Sequence, residues 1–329
     1  MSEKDDELLG PHPRATARGK FDLVGHVRVP VAGMGLIPLE ASKNFVLTFE
    51  DNSPYKWVEK TTERLGDWRA DLTSTYMRWA IAINAVHKAA DYYNGEQFHD
   101  KMFVVRGMRF RGITPFRTMD GKMASSVHLG IQPMLAAFAL IDMYACLEEV
   151  ILAMFRIYWD SHPGKMLVGP SFRDKRRLYK ASRTNSGAKA EWDAYWSHRL
   201  DEWQRKKMYD GLDSVFLGYV NIAGLKSPSL FTRTTRETWA QAIKQIAMIR
   251  NALVHGVTEV TEKIERTCNQ PWLSDFKFKA GTVLTVDLSH LMAVECFCDQ
   301  LLTALNVCLI EVCGGSLKSQ RSRESAGEH

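Results

Sequence analysis

Ile249-Arg250-Asn251-Ala252-Leu253-Val254-His255-Gly256 sets three polar side chains among apolar ones and ends in a glycine. Upstream of it, Trp239, Ala242, Ile243, Ile246, Ile249 and Leu253 recur with helical spacing. That pattern predicts an amphipathic helix over 236–254 with one face in a core. Thr235 is placed to cap its start and Gly256 to end it. On such a helix Asn251 and His255 lie one turn apart and share a face. Arg250 comes five residues before His255, about 140° around the axis. An arginine stem covers that gap where a helix is ending, so a guanidinium, a carboxamide and an imidazole converge on one small volume.

These three groups suit one kind of chemistry. Arginine offers a fixed cationic fork for a phosphate. Histidine moves a proton near neutral pH. Asparagine can orient the imidazole or bond phosphate or sugar. Together they suffice to cleave RNA without a metal: a base takes the 2′-hydroxyl proton, the oxygen attacks phosphorus, and a cation stabilises the phosphorane. The plainer alternative is a core helix whose Arg250 and His255 only complement the dipole at its C-terminus.

Outward from this stretch the chain reads as mostly helix. Lys56 to Asn94 is helical, with Trp57, Leu65, Trp68, Leu72, Met77 and Ile81 on its apolar side. The strongest helical run is Ile131 to Trp159, with Pro133 in its first turn and His162-Pro163-Gly164 as its stop. It carries two adjacent acids, Glu148 and Glu149, in an apolar run; buried acids need partners. Lys165 to Lys189 is polar and basic and closes in RTNSGAK, which reads as a loop. Glu191 to Met208 follows as an amphipathic helix whose Trp192, Trp196 and Trp203 are read as core anchors before they are read as a base-stacking platform. Leu212 to Leu225 is apolar, and Leu288 to Val312 is a long final helix. Strand signals are few. Phe45 to Phe49 is one, VVRGMRFRGITPFR (104–117) is a strand or an arginine-bearing loop, and FKFKAGTVLTVDL (276–288) suggests two strands around Ala280-Gly281.

Composition narrows the class. Hydrophobic residues make up 45% of the 329, enough for a real core. Charges cut the apolar segments before the roughly 20 residues that a membrane span needs, and MSEKDDELLG is not a secretory signal. The six cysteines form no CxxC pair, and Cys296 and Cys298 point to different faces of one helix, so free thiols in a reducing, cytoplasmic setting are expected. No His or Cys pair has metal-ligand spacing. Gly33-Met34-Gly35 lacks the context of a nucleotide loop. His87 and His290 on helices, and His99 and His128 in or near loops, are read as structural or solvent-facing. The net charge is +5, and RDKRRLYKASR alone carries that excess: Arg173, Lys175, Arg176, Arg177, Lys180 and Arg183 against Asp174. Such a segment suits an RNA backbone, and equally a solvated loop or helix face.

An R-N-x-x-x-H string at the end of an amphipathic helix, with a long helix upstream and a last apolar helix after a glycine and an irregular link, resembles the signature of the HEPN superfamily. The resemblance covers roughly 124–312. It implies an all-α bundle, usually a homodimer in which two motif helix ends make a composite site. Many members are metal-independent endoribonucleases of toxin–antitoxin and anti-phage systems; others only bind RNA or a partner. By that resemblance Arg250 would bind and polarise the scissile phosphate, His255 would be the general base or acid, and Asn251 would position one of them. An acid of the first long helix would lie near the motif. Glu148 and Glu149 are both candidates, each with a core-edge salt bridge as its equal alternative. No metal or organic cofactor is implied.

The expectation is therefore a mostly α protein with a HEPN-like bundle over 124–313 that contains a basic insert over 165–233. Before it come a disordered tail, 1–20, and a short β-containing N-terminal region, 21–123, with a helix at 56–94. A β-hairpin precedes the last helix, and 314–329 is a second tail. The expected activity is RNA cleavage to a 2′,3′-cyclic phosphate, with a catalytically silent RNA- or protein-binding module as the alternative. Expected partners are RNA, a second copy of the chain and an antitoxin or defence-system protein, with no membrane.

Overall fold

Apolar residues at helical spacing, with few prolines or glycines to interrupt them, give long helices here. The computed structural model describes residues 25–30, 37–39, 43–50, 53–109, 112–229, 231, 233–271, 273, 276–314 and 317–319. Its helices are α1 (Lys56–Tyr93), α2 (Gly121–Ser161), α3 (Pro163–Met166), α4 (Arg173–Ala181), α5 (Ser186–Lys207), α6 (Leu212–Ile222), α7 (Arg236–Val254), α8 (Glu262–Cys268) and α9 (Leu288–Val312). The strands are β1 (Gly25–Pro30), β2 (Ile37–Leu39), β3 (Lys43–Thr48), β4 (Met102–Arg109), β5 (Gly112–Asp120) and β6 (Leu317–Ser319). The protein is mostly helical, with small two-stranded sheets. The chain divides into two units: 1–72, 145–247 and 298–329 form one, and 73–144 and 248–297 form the other. The division passes through α1, α2, α7 and α9.

In the first unit the second half of α9 is buried on every side, from Leu301 to Ile310. A helix that is apolar all round has to be interior, and each fully buried leucine or isoleucine there contributes about 2 kcal/mol. Leu147, Ile151, Met154 and Tyr158 of α2 are buried in this unit, as are Phe216 and Tyr219 of α6 and Ile243 and Ile246 of α7. β3 pairs in parallel with β1, Val27 opposite Phe45. Side chains satisfy further backbone groups of β3: the Phe45 N–H donates to Asn306 Oδ1 at 3.1 Å, Asn306 Nδ2 donates back to the Phe45 carbonyl at 2.8 Å, and the Leu47 N–H donates to Thr62 Oγ1. A buried backbone group left without such a partner would cost stability. β2 pairs in parallel with β6.

The second unit contains the end of α1, the start of α2, the antiparallel hairpin β4–β5, the end of α7, α8 and the start of α9. After α7 the chain runs extended: Val260 N–H donates to the Thr282 carbonyl, and Leu284 N–H donates to the Thr258 carbonyl. Phe276 and Phe278 are buried, with His290 stacked on Phe278.

Several expectations are corrected. Residues 276–286 are not a hairpin. Thr282–Leu284 bonds instead to 258–260, through one isolated bridge, Glu259 to Val283, while the Asn269 side chain holds both backbone groups of Phe278. Among the described residues the hairpin lies at 102–120, where the arginine-bearing segment pairs with itself. Pro133 lies inside α2 and not in its first turn. The residue is exposed, so water can bond the carbonyl that its ring leaves unpaired. Lys165–Lys189 contains α4, not only loop, and His128 sits on α2. Contrary to the expectation that charges cut every apolar segment short, the last helix is long and apolar enough to cross a membrane, and it is mostly buried inside the protein. Leu317–Ser319, expected in a frayed tail, form β6. The tails 1–20 and 320–329 and the glycines at 33 and 35 lie outside the described residues.

Candidate active site

The motif helix begins and ends as its sequence directs. At its start the Thr238 N–H donates to Thr235 Oγ1 at 3.3 Å and the Thr235 N–H donates to Thr238 Oγ1 at 2.8 Å, a reciprocal cap. At its end Gly256 takes φ +67°, a conformation that costs an L side chain energy. This lets the Gly256 N–H reach the Leu253 carbonyl and the Val257 N–H reach the Ala252 carbonyl, the paired bonds of a left-handed helix stop. His255 is thus the last residue before the reversal. The strand-like contact between 258–260 and 282–284 fixes the chain just beyond it.

Arg250, Asn251 and His255 share this helix end, within the second unit. Arg250 Nη1 donates to Asn251 Oδ1 at 2.9 Å, and the guanidinium carbon lies 5.2 Å from the ring centre of Tyr144, a cation–π contact. Arg250 is half-buried, and its Nε is enclosed without a hydrogen-bond partner. Asn251 and His255 are exposed. Among the described residues the His255 ring has no hydrogen-bond partner. The arrangement therefore joins arginine to asparagine, with the carboxamide oxygen turned to Arg250 and not to the imidazole. This helix end thus carries a half-buried guanidinium, a group that can hold an anion, and five residues on an exposed imidazole, a group that can exchange a proton.

No family model, no curated protein and no solved structure matches this chain.

The other sequence candidates are placed as follows. Glu148 is half-buried and Glu149 exposed on α2, in the first unit. Glu148 is the one that follows Tyr144 by four residues and so shares its helix face. In the basic segment, Arg173, Arg177 and Lys180 fall on one face of α4 and are exposed, at steps of four and three. Arg177 also pairs with Asp174 at 3.5 Å. Arg176 turns inward, donating to the carbonyls of Leu167 (2.7 Å) and Gly169 (2.8 Å), and so braces a loop. Lys175 lies 4.5 Å from the ring centre of Tyr195. Arg183 lies over Tyr179 and donates to its hydroxyl; that bond pushes the arginine further up. Trp192 and Trp196 of α5 are buried, as core anchors are, and stack on each other.

A cavity of about 440 Å³ in the first unit is lined by Arg64, Arg156, Asp160, Asp193 and Trp196, among others. Part of its polar lining is already engaged: Arg156 bonds Asp201 at 2.7 Å, and Trp196 Nε1 donates to Asp160 at 3.1 Å. Among the described residues no three metal-ligating side chains cluster.

Tyr144 is the site residue that sequence reasoning missed. It stands in an apolar run of the strongest helix, and nothing in that run separates it from core aromatics. Arg205 and Lys206, exposed at the end of α5, are further basic residues outside the segment singled out. Their signal was a basic run at a helix C-terminus, which the dipole alone would also explain.

Proposed function

We propose that this protein is a metal-independent endoribonuclease of the HEPN type, acting through Arg250, Asn251 and His255. The observation that carries the reading is the helix end itself, where a half-buried guanidinium, bonded to Asn251, stands five residues before an exposed imidazole. Arg250 binds the scissile phosphate and stabilises charge on the phosphorane. His255 takes the 2′-hydroxyl proton or returns one to the leaving 5′-oxygen. Asn251 positions Arg250. The products are a 2′,3′-cyclic phosphate and a 5′-hydroxyl. Arg173, Lys175, Arg177, Lys180 and Arg183 guide the RNA backbone, and Arg176 holds the loop beneath them. The setting is a cytoplasmic toxin or anti-phage system.

A histidine that moves protons works best when a hydrogen bond fixes its other nitrogen. The described chain supplies none, so a second copy or the RNA must. Val254 and Val257 are exposed on either side of His255, and Val127, Met134 and Phe138 make an exposed apolar stripe on α2 at steps of seven and four. Such residues suit a homodimer contact. The free imidazole also favours a second reading, a silent module that binds RNA and does not cut it.

The test is cleavage of labelled RNA by purified wild-type, Arg250→Ala and His255→Ala proteins in the presence of a chelator. Both substitutions should lower the rate by about 10²–10⁴-fold while RNA affinity changes little for His255→Ala. Wild-type rates from the His255→Ala protein would remove the catalytic assignment. Binding without cleavage by all three would leave the silent module.

A further inference from the structure

Three helices of the first unit line the cavity beside Trp196. Arg64 comes from α1, the wall from Ala153 to Asp160 from α2, and the wall from Asp193 to Leu200 from α5. Its volume, about 440 Å³, falls in the range of small-ligand pockets, roughly 300–1,000 Å³. Ala153, Arg156, Ile157 and Asp160 share one face of α2, at steps of three and four.

The register of the helices gives this cleft two unlike ends. Arg156 Nη1 donates to Asp201 Oδ1 at 2.7 Å, and Trp196 Nε1 donates to Asp160 Oδ1 at 3.1 Å. Numbers that rise along α2 therefore fall along α5, and Asp193, just before Trp196, comes at the Asp160 end. Trp57 of α1 packs on Tyr158 (5.0 Å) and His162 (6.0 Å). Arg64 lies two turns further along α1 and lines a wall that stops at Asp160, so α1 also runs against α2 and carries Arg64 toward the Ala153 end. From Ala153 to Asp160 is about 10 Å along the helix axis. One end is thus cationic and the other acidic, with the apolar Ile157 and Leu200 between them.

The charges at the two ends are not matched within the protein. Arg156 is held by Asp201, and Asp160 gives one oxygen to Trp196. The Arg64 guanidinium carbon lies 5.3 Å from the ring centre of Trp68, and a guanidinium on a ring face keeps its N–H edge for an anion. Among the described residues neither Arg64 nor Asp193 has an ion-pair partner, and they do not pair with each other. Arg64, Asp160 and Asp193 are exposed, so a ligand from solvent can reach them. An anion would be opposed by the two acids and a simple cation by Arg64. A ligand that carries both charges, with an apolar stretch between, meets the whole lining.

We propose that this cleft binds a small zwitterion with an amine and a carboxylate at opposite ends of a short aliphatic chain. The carboxylate lies on Arg64, the ammonium between Asp160 and Asp193, and the chain on Ile157 and Leu200. Neither Arg250 nor His255 takes part, and the site holds whether or not the protein cleaves RNA.

The test is titration calorimetry of the full chain with ε-aminocaproate and with its two halves, hexylamine and caproate. The wild-type protein should bind ε-aminocaproate about fivefold more tightly than either half, the most that one solvent-edged ion pair gives. Arg64→Gln should bring ε-aminocaproate down to the affinity of hexylamine, and Asp193→Asn should bring it toward that of caproate. Equal binding of the three compounds, no binding of ε-aminocaproate at millimolar concentration, or unchanged affinity in both variants would overturn the proposal. Inorganic phosphate and putrescine are the rival probes. Tighter binding of phosphate would make the cleft an anion site, tighter binding of putrescine would make it a cation site, and either result would overturn the proposal as well. Should Arg64→Gln unfold without its contact to Trp68, the wild-type ranking of the compounds and the Asp193→Asn protein decide.

Discussion

Replacing Asn306 tests how the N-terminal strand is held. Its carboxamide accepts from the Phe45 N–H at 3.1 Å and donates to the Phe45 carbonyl at 2.8 Å, with both residues buried. Asn306→Leu keeps the approximate shape and removes both bonds, so one N–H and one C=O are left unpaired in the interior. Each orphan costs about 1–3 kcal/mol, and the apolar leucine returns part of that, for a net loss of about 3 kcal/mol. Asn306→Asp separates the two bonds. A carboxylate still accepts from the N–H, but only the protonated acid can donate to the carbonyl. Burial also raises its folded pKa above the unfolded value of about 3.9. With the folded value raised, the stabilisation is present below about pH 4 and is lost as pH rises through the folded pKa. Urea unfolding followed by tryptophan fluorescence should therefore show Asn306→Leu displaced equally at all pH values, and Asn306→Asp displaced at pH 7 but converging on wild type toward pH 4. A Leu variant within about 0.5 kcal/mol of wild type would mean that β3 is not held by this clamp.

Three further outcomes are expected. Gly256→Ala meets no atom within 4 Å, so its cost is the left-handed conformation alone, about 1–2 kcal/mol, read by thermal unfolding; a neutral change would refute the helix stop that places His255. Asp287 caps α9 through the N–H groups of Ser289 and His290. Burial pulls its carboxyl up, but the bonds from Ser289 and His290 and the His290 charge hold it below the usual range. Asp287→Ala should then cost about 1 kcal/mol at pH 7, and the gap should close as pH falls below about 4; a gap that persists in acid would refute the charged cap. Burial pushes the thiols of Cys268, Cys308 and Cys313 up to about 12, and Cys296 alone among the cysteines is exposed. Alkylation of native protein at about pH 8 should mark Cys296 first by peptide mass spectrometry, and early labelling of Cys308 would contradict its burial.

Periodicity made the helices legible because a long apolar stripe has one way to be buried. Lys56–Tyr93, Arg236–Val254 and Leu288–Val312 lie within a residue of where their patterns put them. The strands were harder. FKFKAGTVLTVDL alternates as a hairpin does, yet its backbone groups go to 258–260 and to Asn269, partners that no local pattern announces. The segment 104–117 does pair with itself, through a bulge that hides the alternation. The start of α2 was missed by ten residues because Pro133 resembles a first-turn proline, and an exposed helix tolerates one within.

At the candidate site, spacing placed Arg250, Asn251 and His255 on one helix end, since one helix fixes all three. Spacing could not say which side chains would bond. Convergence of three polar groups leaves open whether the carboxamide serves the imidazole or the guanidinium, and the choice falls to a residue far away in the sequence. Tyr144 draws the Arg250 guanidinium over its ring, and Asn251, next in the chain, is near enough to accept from it. The imidazole, one turn on and facing solvent, is left for something outside the described residues to orient. Within the nuclease reading, the proton-moving group is thus the least fixed member of its own site, and substrate or partner binding would complete it.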